Sequence, residues 1–257
     1  MNKTAIITGA TSGIGASFAK KLASQGYDLF ITGRRIDIIQ KLADKLSKKY
    51  KIKVKIIIAE LSNNNHIEKL VRFIHKLKNI DILVNNAGFG LFEYFSEVPI
   101  DDCEKMIYVH CLAAIKLIHA VIPKMIKQGY GSIINVSSLA AVCPVKKDAV
   151  YSGTKSFLNT FSESLNMELG NKGIIIQSLC PGFTSTDFHK KIKINSEDMK
   201  KLRHFKWMSA DEVVEYSLKC LRKNKVICIP GWRNRILVKL TSLLPKSLYY
   251  KIVQLFS

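Results

Sequence analysis

Three residues in the middle of the chain have the types and spacing of acid–base machinery. Tyr151 and Lys155 stand four apart in Tyr151-Ser152-Gly153-Thr154-Lys155, so on a helix they project from one face a turn apart. A phenol with a reference pKa of about 10 is almost never ionised at neutrality, and bringing it there takes roughly 3 units, or about 4 kcal/mol. An ammonium one turn away supplies such a bias. Ser138 follows the apolar run Ser132 to Val136 and precedes Tyr151 by 13 residues. Its hydroxyl can hold the same substrate oxygen that the phenol protonates or deprotonates. Exposed Tyr/Lys helix pairs are common, and it is the serine behind a strand that separates this one from them.

A second group suits a phosphate-rich ligand. Thr8-Gly9-Ala10-Thr11-Ser12-Gly13-Ile14-Gly15 joins an apolar run to a helical pattern. Glycines let backbone approach a ligand without a Cβ, and the free N–H groups and positive end of a helix favour a pyrophosphate. Gly9, Thr11, Ser12, Gly13, Ile14 and Gly15 are therefore candidate dinucleotide contacts. The spacing differs from GxGxxG, and without GK[ST] a P-loop is excluded. Thr32-Gly33-Arg34-Arg35 ends the second apolar run. An acidic residue there would accept the ribose hydroxyls of NAD, whereas Arg pairs with the 2′-phosphate of NADP. NADP(H) is accordingly expected over NAD(H), with Arg34 placed ahead of Arg35. Glu60-Leu61 and Asn85-Asn86-Ala87-Gly88 close the next two runs, which puts Glu60, Leu61, Asn86, Ala87 and Gly88 on the same rim.

The elements that must position these groups repeat as strand, then helix. Thr4–Thr8, Asp28–Thr32, Val54–Ala59, Ile80–Val84, Ser132–Val136, Ile174–Leu179 and Val226–Ile229 are rich in Ile, Leu and Val, with helical spacing between them and a helix over 149–170 carrying the Tyr/Lys pair. Continuous rather than alternating apolar strands imply a sheet covered on both faces, hence parallel and joined by right-handed crossovers. The expected fold class is α/β: one Rossmann-like, doubly wound parallel sheet of about seven strands with helices on both faces. Residues 1–231 form the dinucleotide-binding and catalytic domain, and 232–257 a helical extension broken at Pro245 into two short helices. Residues 183–206 follow a Pro-Gly without a clean period and read as a long loop with short helices.

Composition narrows the field further. The chain has 257 residues, 47% of them apolar, 14 Gly and 6 Pro, which excludes disorder and collagen-like sequence. Six cysteines at 103, 111, 143, 180, 220 and 228 form no CxxC pair, so neither a metal site nor a disulfide framework is expected. Net charge is +20, but it comes from 33 Lys and 7 Arg spread over the chain, not from a patch of Arg forks and aromatics, so no nucleic-acid partner is expected. No stretch approaches the roughly 18 apolar residues of a membrane span, and the short apolar patch near the start is no signal peptide. A cytoplasmic protein is expected. Trp232, Tyr249, Tyr250 and Phe256 lie among Lys and Arg, a pattern open to membrane association; packing of 232–257 on the chain's own domain or a second subunit is favoured.

At these motifs the sequence resembles the short-chain dehydrogenase/reductase family, from Thr4 to about Gly231. TGATSGIG is similar to that family's glycine motif, NNAG to its fourth-strand motif, and Ser138 with YSGTK to its catalytic serine and YxxxK. Cys180-Pro181-Gly182 with Thr186 is similar to its PG motif, so the resemblance implies Pro181, Gly182, Thr184 and Thr186 beside the nicotinamide. It also implies an NAD(P)-dependent carbonyl–alcohol interconversion on a small molecule, in the NADP-preferring reductase type, and a homodimer or homotetramer. The family's relay Asn is replaced by His110, which is carried forward as a catalytic candidate or a satisfied core histidine. Phe89, Leu91, Phe92, Phe95, Val142, Phe183 and Phe188 fall at the strands' carboxyl edge, two or three of them expected to meet an apolar ketone, aldehyde or 3-oxoacyl thioester. The rival reading is a non-catalytic NADP-binding sensor or scaffold.

Overall fold

A computed structural model describes residues 3–188 and 207–256. Among the described residues, seven parallel strands form one sheet in the order β3-β2-β1-β4-β5-β6-β9. They are β1 (Thr4–Ile7), β2 (Asp28–Gly33), β3 (Val54–Ile58), β4 (Ile82–Asn85), β5 (Gly131–Val136), β6 (Ile174–Leu179) and β9 (Ile227–Cys228). The strand order reverses between β1 and β4, where the register pairs Ile6 with Leu83. A doubly wound sheet opens its ligand crevice outside the strand ends at that reversal.

Both faces of the sheet are covered, which is why β1 and β4 are buried along their whole length. On one face α1 (Gly13–Ser24), α2 (Ile36–Tyr50) and α7 (Ala210–Leu221) bring Phe18, Leu22, Ile39, Leu46 and Val213 into a single apolar cluster. On the other, α3 (Asn64–His75), α5 (Ala113–Gln128) and α6 (Ala149–Leu169) contribute Ile67, Leu70, Leu117, Val121 and Leu165. Local sequence sets the ends of these helices. Asn63 caps α3 by accepting from the Asn65 and His66 N–H groups, Ser209 and Glu212 form a capping box on α7, and Gly129 stops α5 at φ 75°.

Three expectations need correction. Among the described residues one helical run, Ile100–Gln128, is long and apolar enough by length and composition to cross a membrane, with 56% of its apolar window buried in the fold. It comprises α4 (Ile100–Ile107), a widened π turn over Tyr108–Leu112, and α5; its apolar surplus covers the sheet. Within 183–206, Thr184–Ser185 (β7) pairs in parallel with Met208–Ser209 (β8), just past the segment, a ladder too short for periodicity to reveal; 189–206 lie outside the described residues. The two closing helices, α8 (Trp232–Leu243) and α9 (Lys246–Phe256), form as expected, yet α8 buries none of its side chains. Self-packing thus describes α9, whose Tyr249 hydroxyl donates to the Pro144 carbonyl at 2.8 Å, and not the apolar stripe of α8.

Candidate active site

The turn after β1 is clasped to the end of β4. The Asn86 side chain donates to the Thr8 and Gly9 carbonyls at 3.0 and 3.1 Å, and the Asn86 and Ala87 N–H groups donate to Thr8 Oγ1. Asn86, expected as a cofactor contact, therefore spends its amide on shaping the turn. A Cβ on Gly15 would lie 2.4 Å from both Asn86 Nδ2 and the Gly9 oxygen, and one on Gly9, at φ 65°, would lie 2.8 Å from Ala87 Cα. These glycines are demanded by close approach as much as by conformation. Gly13, at φ 55°, faces Thr186, whose Cβ would be 3.1 Å from an added methyl, so Thr186 closes over the turn. Thr184 instead donates to the Gly182 carbonyl at 2.9 Å, and Leu139 N–H donates to the Pro181 oxygen. Leu61 is buried and Ile14 packs against the core.

The two arginines after β2 part company. Arg34 pairs with Glu60 at 2.9 Å. Partial burial would raise the Glu60 carboxyl, but the Arg34 hydrogen bond and charge outweigh it and hold Glu60 below the usual carboxylate range. Arg35 donates to Thr11 Oγ1 and Ser12 Oγ, each at 2.9 Å. Arg35 thus lies on the turn, while Arg34, ranked first from sequence, is engaged by a carboxylate.

Ser138, Tyr151 and Lys155 converge where β5 meets α6. Ser138 Oγ accepts from the Ala140 N–H at 3.1 Å, which fixes the start of the short turn after β5, and its hydroxyl favours the ionised form of the Tyr151 phenol. Lys155 Nζ donates to the Val136 carbonyl at 2.8 Å and sits 5.5 Å from the Tyr151 ring centre. Electrostatics here differ from the expected bias. Burial pushes the Tyr151 phenol above its ordinary value against the pull of Ser138, and the Asp148 charge pushes the same way. Lys155 is itself lowered to about 8 by burial. Low local dielectric penalises both charged forms, so the ammonium is weakened where its charge was expected to act.

His110 sits in the π turn, 2% exposed. Its Nε2 accepts from the Phe89 N–H at 3.1 Å and its Nδ1 lies 2.9 Å from Thr154 Oγ1; Thr154 Oγ1 donates to the Tyr151 carbonyl at 2.8 Å. One arrangement satisfies all three bonds: a neutral ring protonated on Nδ1. Burial and the Lys155 charge hold its pKa well below the usual histidine value. Of the two roles expected for His110, catalytic candidate and satisfied core histidine, the geometry fits the second: with both nitrogens occupied it is a positioning residue, tying the Phe89 backbone to the helix that carries Tyr151. Its ring stands edge-on to that of Tyr151, 5.7 Å between centres.

Beside Tyr151 opens an apolar cleft lined by Leu91, Phe92, Phe95, Val98 and Met106 on one side and by Lys147, Asp148 and Val150 on the other. Phe188 meets the Tyr151 ring from a further direction, 6.0 Å between centres. Of the other apolar candidates, Phe89 packs on the core, Phe183 on Trp207, and Val142 is 38% exposed.

Comparison with known proteins gives this geometry a lineage. The profile of the short chain dehydrogenase family matches residues 3–197. The chain belongs to the short-chain dehydrogenase/reductase family. It is 34% identical over 194 residues to the very-long-chain 3-oxoacyl-CoA reductase of Bos taurus, covering 74% of this chain and 62% of that protein. It is also 34% identical to the inactive hydroxysteroid dehydrogenase-like protein 1 of Homo sapiens, over 71% of this chain and 56% of that protein. The match thus spans about three fifths of the length of these relatives. A short-chain dehydrogenase from Sphingobium yanoikuyae in complex with NADPH superposes with a TM-score of 0.84 at 27% identity, covering 95% of this chain and 96% of that one.

The residues present fit a dinucleotide of the kind short-chain dehydrogenases hold. Ser12 caps α1 without a side-chain hydrogen bond and the first turn carries no acid, so the helix's N–H groups and positive end remain for an anion. Two features of this family member escaped the sequence reading. Asp148, three residues before Tyr151, is raised from 3.8 to about 7 by burial; its helical spacing from Tyr151 was the available signal. Phe92 at φ 56° and Lys147 at φ 64° are both left-handed, and Lys147 Nζ lies 5.7 Å and 5.3 Å from the Phe92 and Tyr94 ring centres. Nothing in residue type announces that strain, which is stored where two loops clasp over the cleft.

Proposed function

We propose that this protein is an NADP(H)-dependent reductase that interconverts a carbonyl and a secondary alcohol, with an apolar ketone, aldehyde or 3-oxoacyl thioester as substrate. The observation that carries the reading is the convergence of Ser138 and Tyr151 at the wall of an apolar cleft, with Lys155 one turn further on. Arg35, Thr11, Ser12 and the α1 N-terminus would hold the nucleotide's phosphates, and Lys155 its nicotinamide ribose. Bound there, NADPH supplies a hydride.

Tyr151 keeps its proton at neutral pH because burial opposes its ionisation. It is therefore loaded to protonate a carbonyl oxygen as negative charge develops on it. Ser138 favours the ionised form of the phenol, so its hydroxyl can hold the same oxygen and steady the phenolate left behind. Leu91, Phe92, Phe95 and Phe188 shield the reacting carbonyl from water. The rival, a dinucleotide-binding protein without turnover, finds support in the name of one relative and is opposed by the intact Ser138, Tyr151 and Lys155.

The test is NADPH oxidation against a panel of ketones, aldehydes and 3-oxoacyl thioesters, with Tyr151→Phe beside the wild type. The variant is expected to bind NADPH as before and to lose about 10²–10⁴-fold in kcat. Equal turnover by the two proteins, or none by the wild type across the panel, would refute the reading.

A further inference from the structure

Helix α8 is built inside out. A helix that belongs to a globular fold turns its apolar stripe to the core. Here the side nearest the domain carries the half-buried Asn234, Val238 and Thr241. Asn234 donates to the Pro230 carbonyl at 2.7 Å, and Thr241 Oγ1 lies 3.2 Å from Cys143 Sγ. The opposite side carries Trp232, Ile236, Leu240 and Leu243, at 61%, 49%, 58% and 73% exposure. Their spacing of four, four and three places them on one line along the helix. Leu248 and Tyr250 of α9 are exposed as well, at 44% and 53%. Scattered apolar residues on a surface need no explanation; a contiguous stripe marks something that covers it.

Charge decides what that is. Residues 232–257 contain Arg233, Arg235, Lys239, Lys246 and Lys251 and no Asp or Glu. Arg233 stacks over the Trp232 ring at 5.3 Å, so a cation and an interfacial aromatic share one spot. A second copy of the chain would set this all-positive face against itself, each chain carrying +20 overall. An anionic bilayer offers what the face lacks on both counts: apolar depth for the stripe and phosphates for the flanking cations. In-plane helices with Trp and Leu on one side and Lys and Arg beside it bind in this way.

We propose that the outer face of α8 and α9 docks on an anionic membrane surface, the stripe from Trp232 to Leu243 entering the interfacial layer and Arg233, Lys239, Lys246 and Lys251 meeting headgroup phosphates. The docking has a consequence for the cleft, and only that consequence rests on the reductase reading. The segment after β5 is fastened to these helices by the Cys143–Thr241 contact, by the Tyr249 bond to Pro144 and by Lys146 Nζ donating to the Gln254 carbonyl at 3.3 Å. That segment ends at Lys147 and Asp148 in the cleft wall. A docked protein would hold its cleft near the bilayer, where an amphiphilic carbonyl compound resides.

The experiment is co-sedimentation of the full chain with phosphatidylcholine vesicles, with and without phosphatidylserine. The wild type is expected to pellet with the anionic vesicles at least tenfold more than with the neutral ones, and less as salt is raised. Ile236→Glu with Leu240→Glu should abolish pelleting, and Lys239→Glu with Lys246→Glu should weaken it about tenfold. All four positions are exposed, so circular dichroism and NADPH binding should match the wild type. Pelleting that is absent in the wild type, or equal in wild type and variants, overturns the proposal. So does a sedimentation-velocity result in which Ile236→Glu/Leu240→Glu splits an oligomer that ignores vesicles, since the stripe is then a subunit contact. Binding is read without turnover, and its failure would leave the reductase assay untouched.

Discussion

The nucleotide end of the crevice and its substrate mouth are made in opposite ways. At the nucleotide end, chain from three strand ends is locked together: Asn86 clasps the Thr8 and Gly9 carbonyls, and Ala10 N–H donates to the Thr32 carbonyl at 2.9 Å. At the mouth, two non-glycine residues hold left-handed backbone, a carboxyl is raised to about 7, and the adjoining helix exposes its apolar side. The first region is a steric solution with few alternatives. The second is a set of loops whose shape depends on long-range packing and which stores strain instead of relieving it.

The largest expected effect comes from adding one methyl group at the locked end. Gly15→Ala puts a Cβ 2.4 Å from Asn86 Nδ2 and the Gly9 oxygen, and backbone on one side cannot yield. We expect a cost of about 1–3 kcal/mol, a fall in Tm of roughly 2–12 °C, and loss of measurable NADPH binding in fluorescence titration. A variant that bound NADPH normally would show that the turn is looser than its contacts imply.

Next in size is the pair of arginines. Arg35→Ala removes a charged donor that lies on the turn and should weaken NADPH binding about tenfold to a hundredfold, in line with roughly 1.5–3 kcal/mol for such a bond, while NADH binding changes little. Arg34→Ala should do less, because Glu60 already engages that guanidinium. The reverse order in titrations with both nucleotides would restore the ranking read from sequence.

These same residues show what was legible. The seven strands, the helix bearing Tyr151 and Lys155, and the glycine turn were readable because apolar runs and Gly spacing are local signals of local geometry. Which of Arg34 and Arg35 meets the turn was not, since it depends on how the chain leaves β2 at the start of α2, where Arg35 has φ −89° and ψ 95°. Nor was the inverted face of α8: its sequence shows apolar residues at helical spacing, and only the fold shows that they point away from the domain. His110 lay between, readable as a departure but not as a ring with both nitrogens engaged.

A milder substitution sharpens the contrast from the mouth side. Lys147→Gly relieves a left-handed φ of 64° but gives up the ammonium near the Phe92 and Tyr94 rings. Strain relief and a lost cation–π contact are each worth about 1 kcal/mol, so Tm should stay nearly constant. NADPH affinity should be unchanged and KM for a bulky ketone should move several-fold. A collapse of nucleotide binding would mean that the two ends are not independent.

The last effect is one of pH, absent at acid pH and growing only as pH rises, and its sign is fixed by burial. Asp148 releases its proton near 3.8 in the unfolded chain and near about 7 in the fold. Between those values the native state binds more protons, so stability falls as pH rises through the window. Lys155, lowered from 10.5 to about 8, binds fewer protons in the native state above 8, so its contribution rises with pH from there. Together they place a shallow minimum of stability between about 7 and 8. Asp148→Asn deletes the falling limb alone: the Tm gain of the variant over the wild type should be small at pH 4 and grow to roughly 10 °C by pH 8, the ceiling set by the roughly 3 pH units between those two values at about 1.4 kcal/mol each. Because the ionised carboxylate also holds the Tyr151 phenol up, the same variant should shift the pH profile of alcohol oxidation toward lower pH. A Tm difference that is constant from pH 4 to pH 8 would show that the Asp148 carboxyl is solvated, and the mouth would then lack the buried acid that distinguishes it from the nucleotide end.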